Sequence, residues 1–359
     1  MNITIIGTGN AACANAFKLS EAGHNVTMLK TTIGINDDNF NAINNNNGIF
    51  AIDHTNKGQN TSRFQNIALI TRNIPEALKN AEIIIVQLQT LYHESAARAI
   101  APYFGKTTQM VLVIPGAMGS AIFKKHCKID SIIFAEGEST PFDARIIAPG
   151  TVEILFQNVR NAIGVIPASK NNEGLAIAKN IYYTYCATRT NIIESALHNP
   201  NLIVHTIGVI MSASRIEYSK GEFWMYKEAF TPSIWNMIRQ LDEEKCNVIK
   251  AYGGKELSYL EAARWRNSED CTIDPMVSFI KYANEGSPKG PNKVNTRYIT
   301  EDVPNGLVLM ESLAKHKGIE VPLTTSLINI ASFMLNIDYR SNGRTIERMG
   351  IEYMVTENL

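Results

Sequence analysis

A glycine-rich turn near the N-terminus constrains the fold of this chain more than any other feature of its sequence. Residues 3–12 read ITIIGTGNAA, a G-x-G-x-x-A pattern that directly follows an apolar run and precedes a helical stretch. The first glycine makes a tight turn, the second lets a pyrophosphate approach the backbone, and the small third residue lets the helix pack on the strand. The pattern predicts a dinucleotide-binding turn, with a turn that binds nothing as the alternative. The cofactor-binding candidates are Gly7, Gly9, Asn10, Ala11 and Ala12.

The first half of the chain alternates short β-branched runs with helical stretches, which is typical of a parallel sheet with crossover helices. The predicted strands are Ile3–Ile6, Asn25–Leu29, Ile83–Leu88, Met110–Ile114, Ile132–Ala135, Thr151–Phe156 and Ala162–Pro167. We expect a helix over Asn172–Tyr185, after which the sheet ends. We interpret Asn36–Asn66, which contains an asparagine run at 44–47, as a loop-rich excursion with a short strand near Ile49–Ile52.

Helical periodicity dominates after about residue 188. The predicted helices are Asn191–Tyr218, Ser233–Ala251, Glu256–Arg264, Val303–Lys317 and Thr324–Asn336. The sequence therefore predicts an α/β protein with an N-terminal Rossmann dinucleotide-binding domain over 1–188 and an all-α C-terminal domain over 189–359. The length of 359 residues agrees, because one hydrophobic core rarely serves so long a chain.

Charge and cysteine content argue against several classes of protein. The chain carries 34 basic and 34 acidic side chains, so it lacks the electrostatic footprint of a protein that binds nucleic acid or an anionic membrane. No run approaches the roughly 20 apolar residues that a membrane span needs. The 5 cysteines are scattered without a C-x-x-C pair, so we expect no metal site and a cytoplasmic, reducing environment.

The end of the second predicted strand bears on the choice of cofactor. A site for NAD usually has an Asp or Glu there, which binds the ribose hydroxyls. This chain has Lys30, Thr31 and Thr32 instead. A cation with two hydroxyls suits a 2′-phosphate and offers no acceptor for a ribose diol, so we predict that NADP(H) is preferred over NAD(H). A solvated lysine at a strand end is the alternative.

Two segments of the second half carry candidate catalytic side chains. His198 and His205 are seven residues apart in one predicted helix, so we expect them on one face. Residues 295–304 are dense in polar groups just before another predicted helix. A lone histidine in an apolar helix is more often packed in the core than catalytic, so spacing alone assigns neither segment a function.

Seven short segments, spread through the chain, resemble those of a known family. They are GTGNAA at 7–12, a strand ending Tyr92-His93, Pro115–Gly119, Gly137–Ser139, NPNLIVH at 199–205, Phe230–Ser233 and NTRYITED at 295–302. The last two are the most specific. The family is that of the opine dehydrogenases of the octopine/nopaline type, which reductively join an amino acid to an α-keto acid.

The resemblance implies an NAD(P)-dependent oxidoreductase that acts on CH–NH groups, and it implies roles for three residues. His205 is the implied acid/base, Asp302 orients it, and Arg297 binds a substrate carboxylate. The chemistry agrees, because an imidazole exchanges protons near neutral pH and a guanidinium binds a carboxylate through two hydrogen bonds. The implied partners are an amino acid and an α-keto acid such as pyruvate.

Three further residues are weaker candidates for the substrate site. His93 and Glu138 are expected at the C-terminal ends of strands, where ligands gather in such sheets, and structural turn residues are the alternative. Tyr226, together with Phe223 and Trp224, lines the pocket for the amino-acid side chain or belongs to the core. A core position is the better expectation for such aromatic residues.

Other functions stay open at this point. A 2-keto acid or ketopantoate-type reductase shares the domain plan, as do glycerol-3-phosphate dehydrogenases. A non-catalytic NADP(H)-binding sensor would need no catalytic constellation. The identity of the substrates, the stereochemistry of the product and the oligomeric state are undetermined, with a homodimer as the candidate assembly.

Overall fold

The structure is a computed structural model that describes residues 1–55 and 61–356. It divides into two compact units, Met1–Thr188 and Arg189–Leu359. The first unit combines strands with helices, and the second is built from helices, so the predicted fold class is confirmed. Within the residues just given, no helix is both long and apolar enough to cross a membrane.

The first unit contains the sheets. Its strands are β1 (Asn2–Ile6), β2 (Asn25–Leu29), β3 (Gly48–Asp53), β4 (Thr61–Asn66), β5 (Leu69–Thr71), β6 (Ile83–Val86), β7 (Met110–Val113), β8 (Ile133–Gly137), β9 (Phe142–Ala148), β10 (Thr151–Gln157), β11 (Asn161–Ile166) and β12 (Tyr185–Thr188). Its helices are α1 (Asn10–Glu21), α2 (Asp37–Asn46), α3 (Ile74–Leu78), α4 (His93–Ile100), α5 (Gly119–His126) and α6 (Asn171–Ile181).

The main sheet has eight strands among the described residues, in the order β12-β11-β8-β7-β6-β1-β2-β5. Neighbours from β8 to β5 are parallel, whereas β11 runs antiparallel to β8. Strands β6 and β7 are buried at every position, as expected of a parallel sheet that is covered on both faces. The order of the strands reverses beside β1, and sheets of this kind bind ligands at that point.

A second sheet, β4-β3-β10-β9, packs against α1. The short strand predicted near Ile49–Ile52 is confirmed as β3, whereas the expectation that the rest of Asn36–Asn66 is loop-rich is corrected. That segment contains α2, β3 and β4, although its residues 56–60 lie outside the described part of the chain. In β3, Ile49 and Ala51 point into the core while Phe50 between them is exposed, which is the alternation of a half-buried strand. The asparagine run ends α2, where Asn47 adopts a left-handed φ of 53° that asparagine tolerates well.

The expected end of the main sheet is also corrected. The helix predicted over Asn172–Tyr185 ends at Ile181, and Tyr185 begins β12 instead. Strand β12 pairs in parallel with β11 at the edge of the sheet. The buried Tyr185 contributes to the core. Strand β12 was not predicted because four residues are too few to show a strand-like alternation.

The second unit is a set of helices. They are α7 (Ile192–Leu197), α8 (Asn201–Ile210), α9 (Ala213–Tyr218), α10 (Met225–Glu228), α11 (Pro232–Ala251), α12 (Tyr259–Asn267), α13 (Pro275–Glu285), α14 (Arg297–Thr300), α15 (Val308–His316), α16 (Pro322–Leu335), α17 (Tyr339–Asn342), α18 (Ile346–Met349) and α19 (Glu352–Thr356). A π-helical turn at Val303–Leu307 leads into α15.

The single helix predicted over Asn191–Tyr218 is therefore wrong, because α7, α8 and α9 share that stretch. The first break falls at Asn199-Pro200, where a proline starts a helix more readily than it continues one. His198 is the C-cap of α7, whereas His205 lies within α8. The expectation that the two histidines share one helix face is overturned as a consequence.

Candidate active site

The glycine-rich turn joins β1 to α1, and its two glycines meet different surroundings. Gly7 has a φ of 129°, and a Cβ there would lie 2.6 Å from the carbonyl oxygen of Gln87, so the position requires glycine. A Cβ on Gly9, by contrast, would meet no atom of the described chain within 4 Å. Because α1 begins directly after Gly9, its first N–H groups adjoin that open space. This geometry fits a pyrophosphate, which needs both backbone access and N–H donors.

The other candidates of the turn have structural contacts of their own. Ala12 is buried, and a Cβ on Gly7 would lie 3.6 Å from the Cβ of Ala12. Asn10 Oδ1 accepts a hydrogen bond from the backbone N–H of Ile146 in β9 at 2.9 Å, and the carbonyl of Ala11 accepts one from Asn15 at 2.7 Å. A cofactor would therefore meet the backbone N–H groups of Asn10 and Ala11, while these two oxygens hold the turn in place.

The end of β2 differs from the expectation. Lys30 is only 3% exposed, and its ammonium donates to the carbonyl of Ile35 and lies 3.5 Å from Oδ1 of Asp37. Burial lowers the pKa of Lys30, and the carboxylate of Asp37 opposes that shift. Thr31 and Thr32 are partly buried beside it.

Asp37 overturns the premise that this strand end lacks an acidic acceptor. It stands seven residues beyond Lys30, in the first turn of α2, a helix that was not predicted because this stretch was interpreted as loop-rich. Arg72, which follows β5, donates to Asp37 Oδ1 at 2.7 Å and to the carbonyl of Thr32 at 2.6 Å. Sequence reasoning missed Arg72 as well, since β5 has only three residues.

In the helical unit, His205 and Asp302 are brought together across 97 residues of sequence. Nδ1 of His205 lies 2.8 Å from Oδ2 of Asp302, and the two side chains are 11% and 14% exposed. Burial raises the pKa of Asp302, and the hydrogen bond from His205 opposes the shift. Because a carboxylate accepts, Nδ1 is assigned the proton, and Nε2 is the nitrogen that can accept one from a ligand.

Tyr298 completes the surroundings of His205 and was not among the predicted site residues. Its ring stacks on the imidazole with centroids 3.8 Å apart and planes 11° from parallel. Tyr298 and Asp302 are four residues apart, so the helical segment presents both to His205 from one side. The four-residue spacing of Tyr298 and Asp302 within the motif NTRYITED is the sequence signal that could have identified Tyr298.

Arg297 lies on the same segment. Its Nε donates to Glu301, four residues on, and its side chain is 62% exposed. This contact uses one edge of the guanidinium and fixes its plane, and the two terminal nitrogens form the fork that suits a carboxylate. The segment 297–302 thus carries a cation for a carboxylate beside the pair that can exchange a proton.

The rival histidine is packed in the core of the helical unit. His198 is 4% exposed, with Nε2 4.0 Å from Oε1 of Glu194. Burial lowers the pKa of His198 well below its ordinary value, and the nearby cations Lys245 and Arg189 act in the same direction. These surroundings keep the ring neutral and favour a structural role.

The three weaker candidates are placed as follows. Strand β6 ends at Val86, so the expectation that His93 ends a strand is wrong, and this fully buried residue begins α4 with Nε2 3.3 Å from the carbonyl of Leu88. Glu138 directly follows β8 and is 1% exposed. Tyr226 packs among aromatic residues, with its ring centroid 5.2 Å from that of Tyr282, which supports the core alternative.

Two protein-family models match the chain. Residues 188–335 match the model described as NAD/NADP octopine/nopaline dehydrogenase, alpha-helical domain. Residues 3–167 match the model of ketopantoate reductase PanE/ApbA. An opine dehydrogenase from Arthrobacter sp. (strain 1C) is 28% identical over 292 residues, which cover 79% of this chain and 79% of that protein.

Solved structures share the fold. Octopine dehydrogenase with NADH and L-arginine matches with a TM-score of 0.78 at 18% identity, over 100% of this chain and 98% of that one. Yersinopine dehydrogenase with bound NADP+ matches with a TM-score of 0.72 at 12% identity, over 98% and 93% of the two chains. The resemblance seen in the sequence motifs is confirmed by the match of the helical unit to the octopine/nopaline dehydrogenase model and by the similarity to the opine dehydrogenase from Arthrobacter.

Proposed function

We propose that this protein is an opine-type dehydrogenase. It uses NAD(P)H to condense an amino acid reductively with an α-keto acid, such as pyruvate, into an N-(carboxyalkyl)amino acid, and it catalyses the reverse oxidation. The observation that carries the proposal is the hydrogen-bonded pair of His205 and Asp302, with Arg297 on the same short segment. The match of residues 188–335 to the octopine/nopaline dehydrogenase model and the similarity to an opine dehydrogenase support the reaction class. The L-arginine complex of octopine dehydrogenase supports an amino-acid substrate.

In this mechanism the proton transfers belong to His205. With Nδ1 held by Asp302, Nε2 takes a proton from the attacking amine and gives it to the keto oxygen, which forms the carbinolamine. A second proton passes in the same way from the nitrogen to the hydroxyl, which leaves as water when the imine forms. A proton from solvent reaches the nitrogen when the imine is reduced. Arg297 binds a carboxylate and so orients the substrate for attack. A bound NAD(P)H supplies the hydride that reduces the imine carbon. In the reverse oxidation, His205 acts as the acid.

We propose that the cofactor lies on the first unit, with its pyrophosphate at Gly7, Gly9 and the N-terminus of α1. We further propose that NADP(H) is preferred over NAD(H). The two cations at the ends of β2 and β5, Lys30 and Arg72, support this preference. Comparing kcat/KM for NADPH and NADH tests it, and equal or better efficiency with NADH would refute it.

We also retain a cytoplasmic location and a homodimer as proposals. The five cysteines are free thiols, which supports a reducing compartment. Light scattering on the purified protein would measure the mass of the assembly directly, and a monomer would remove the second proposal.

The reaction is tested by following NADPH oxidation with α-keto acids in the presence and absence of each of the twenty amino acids. We expect oxidation that requires both substrates, and a secondary amine as the product. The match of residues 3–167 to ketopantoate reductase favours one other candidate, a reductase that makes an alcohol from the keto acid alone. Oxidation independent of the amino acid would select that candidate, and NADPH binding without turnover of any pair would select a sensor.

A further inference from the structure

Two cationic residues, Lys30 and Arg72, lie side by side at one edge of the main sheet. Strands β2 and β5 are parallel neighbours with Leu29 opposite Thr71, so Lys30 and Arg72 each follow directly at the same carboxyl edge. The backbone N–H of Lys30 also donates to the carbonyl of Thr71 at 3.1 Å. Strand β2 is the neighbour of β1, which leads into the glycine turn. In sheets of this kind the adenosine ribose of a dinucleotide is bound at the end of the second strand.

The carboxylate of Asp37 lies between these cations. Its Oδ1 is 2.7 Å from Nη2 of Arg72 and 3.5 Å from Nζ of Lys30, and its Oδ2 accepts the N–H of Gly34 at 2.9 Å. These contacts lower the pKa of Asp37, the hydrogen bond from Arg72 most of all, so the group is an anion at neutral pH. The carboxylate of Asp37 thus partly neutralises the charges of Lys30 and Arg72.

Exposure separates the roles of the three groups. Asp37 and Arg72 are 34% and 35% exposed, whereas Lys30 is 3% exposed beneath them. The guanidinium of Arg72 also lies 4.6 Å from the ring of Phe40, which limits its freedom. A ligand arriving from solvent therefore meets a carboxylate and a guanidinium first, and Lys30 adds its charge from below.

We propose that Asp37 is the residue that sets the balance between NADP(H) and NAD(H), in competition with Arg72. A 2′-phosphate must displace the carboxylate from Arg72 to form the bidentate contact that a guanidinium makes with phosphate. A ribose diol lacks that charge, and the carboxylate accepts its hydroxyls. This inference rests on the cofactor site of the proposed function. It predicts that removal of the Asp37 carboxylate shifts the preference toward NADP(H).

The test measures binding of 2′,5′-ADP and AMP to the whole chain by titration calorimetry. The two nucleotides differ only in the 2′-phosphate, and neither is turned over. We expect Asp37→Asn to raise the affinity for 2′,5′-ADP relative to AMP by about tenfold, because one like charge near the phosphate is removed. We expect Arg72→Gln to lower the affinity for 2′,5′-ADP by a similar factor and to leave the affinity for AMP nearly unchanged. Circular dichroism checks that both variants fold.

Asp38→Asn is the matched control, because it removes the same charge from the exposed neighbouring residue. It should change the ratio of the two affinities much less than Asp37→Asn does. The proposal is overturned if Asp37→Asn leaves that ratio unchanged or if Arg72→Gln weakens both nucleotides equally. The absence of binding of either nucleotide to the unaltered protein would overturn the cofactor site and this proposal together. If the variants show the expected ratios of the two affinities but the protein synthesises no opine, only the reaction proposed above is overturned.

Discussion

At His205 a single hydrogen bond determines which ring nitrogen is left for a substrate. Since Asp302 accepts from Nδ1 at 2.8 Å, we expect His205→Ala to lower kcat by on the order of a hundredfold to ten-thousandfold, the usual contribution of a general acid/base. NADPH affinity should change little, because the glycine turn lies in the other unit. Steady-state kinetics with a fluorescence titration of NADPH separate the two effects. Near-full activity in His205→Ala would transfer the role to another residue.

Tyr298 is expected to act as a positioning residue for His205. Its parallel contact at 3.8 Å restrains the imidazole ring, and the face of a phenol ring stabilises a cation beside it. We expect Tyr298→Leu to lower kcat and to leave NADPH affinity nearly unchanged, because the imidazole loses the contact that restrains its ring. Tyr298→Phe keeps the ring and is the matched control. An equal effect of both variants would mean that the hydroxyl, and not the stacked ring, is what matters.

Individual residues of the site were predictable to different degrees. No periodicity links His205 to Asp302, so their pairing could be anticipated only from the family motifs. Asp37 could not be anticipated, because the rule for the acidic residue looks at the strand end, whereas the chain brings this carboxylate back from the next helix. The burial of Lys30 was equally hidden, since a lysine at a strand end is usually solvated.

At the scale of elements, prediction succeeded where a run of β-branched residues is buried on both faces, as in β6 and β7. It failed where an element is short or its pattern is polar. Strand β5 has three residues, and α2 is built largely of asparagine and aspartate, which have low helix propensity. The break between α7 and α8 at Pro200 is a different kind of failure. There the apolar periodicity continues across a proline, so one helix was predicted where the chain forms two.

The end of α7 predicts a pH dependence of stability. His198 is buried there with a pKa well below the value near 6.5 that it has in an unfolded chain. Below about pH 6.5 the unfolded state therefore binds a proton that the folded state does not. The free energy of unfolding then falls as pH falls, by up to about 1.4 kcal/mol per pH unit, until the pH passes below the folded pKa.

We expect His198→Gln to lack this component. The difference in free energy of unfolding between the unaltered protein and the variant should shrink steadily from pH 6.5 to pH 5 and stay constant above about pH 7.5. Trp224, Trp235 and Trp265 are the three tryptophans of the chain and all lie in the helical unit, so their emission during urea titration reports on that unit. Parallel curves for the two proteins would show that His198 is not the titrating group.

At the scale of the whole molecule, the change of period from strand-like to helical near residue 188 was enough to predict the fold class. The sequence could not predict the second sheet, because its two halves, β3 with β4 and β9 with β10, are joined by the pairing of β3 with β10, which lie far apart in the chain. That sheet encloses α1 from the side away from the main sheet, and its buried residues Ile49, Val152 and Ile154 belong to the same core as Phe17 of α1. The helix that begins at the glycine turn is thereby held between two sheets.

This core predicts that the first unit folds alone. Its members all lie between Ile3 and Tyr185, within Met1–Thr188. We expect a fragment of residues 1–188 to be folded by circular dichroism and to bind NADPH, measured by the cofactor's own fluorescence, since no tryptophan of the chain lies in that range. Gly7→Val in the fragment should abolish binding, because its Cβ would lie 2.6 Å from the carbonyl oxygen of Gln87. Gly105→Ala is the matched control, since a Cβ there makes only an ordinary contact, at 3.5 Å from Thr107. A folded fragment without NADPH affinity would show that residues of the helical unit are required to hold the cofactor.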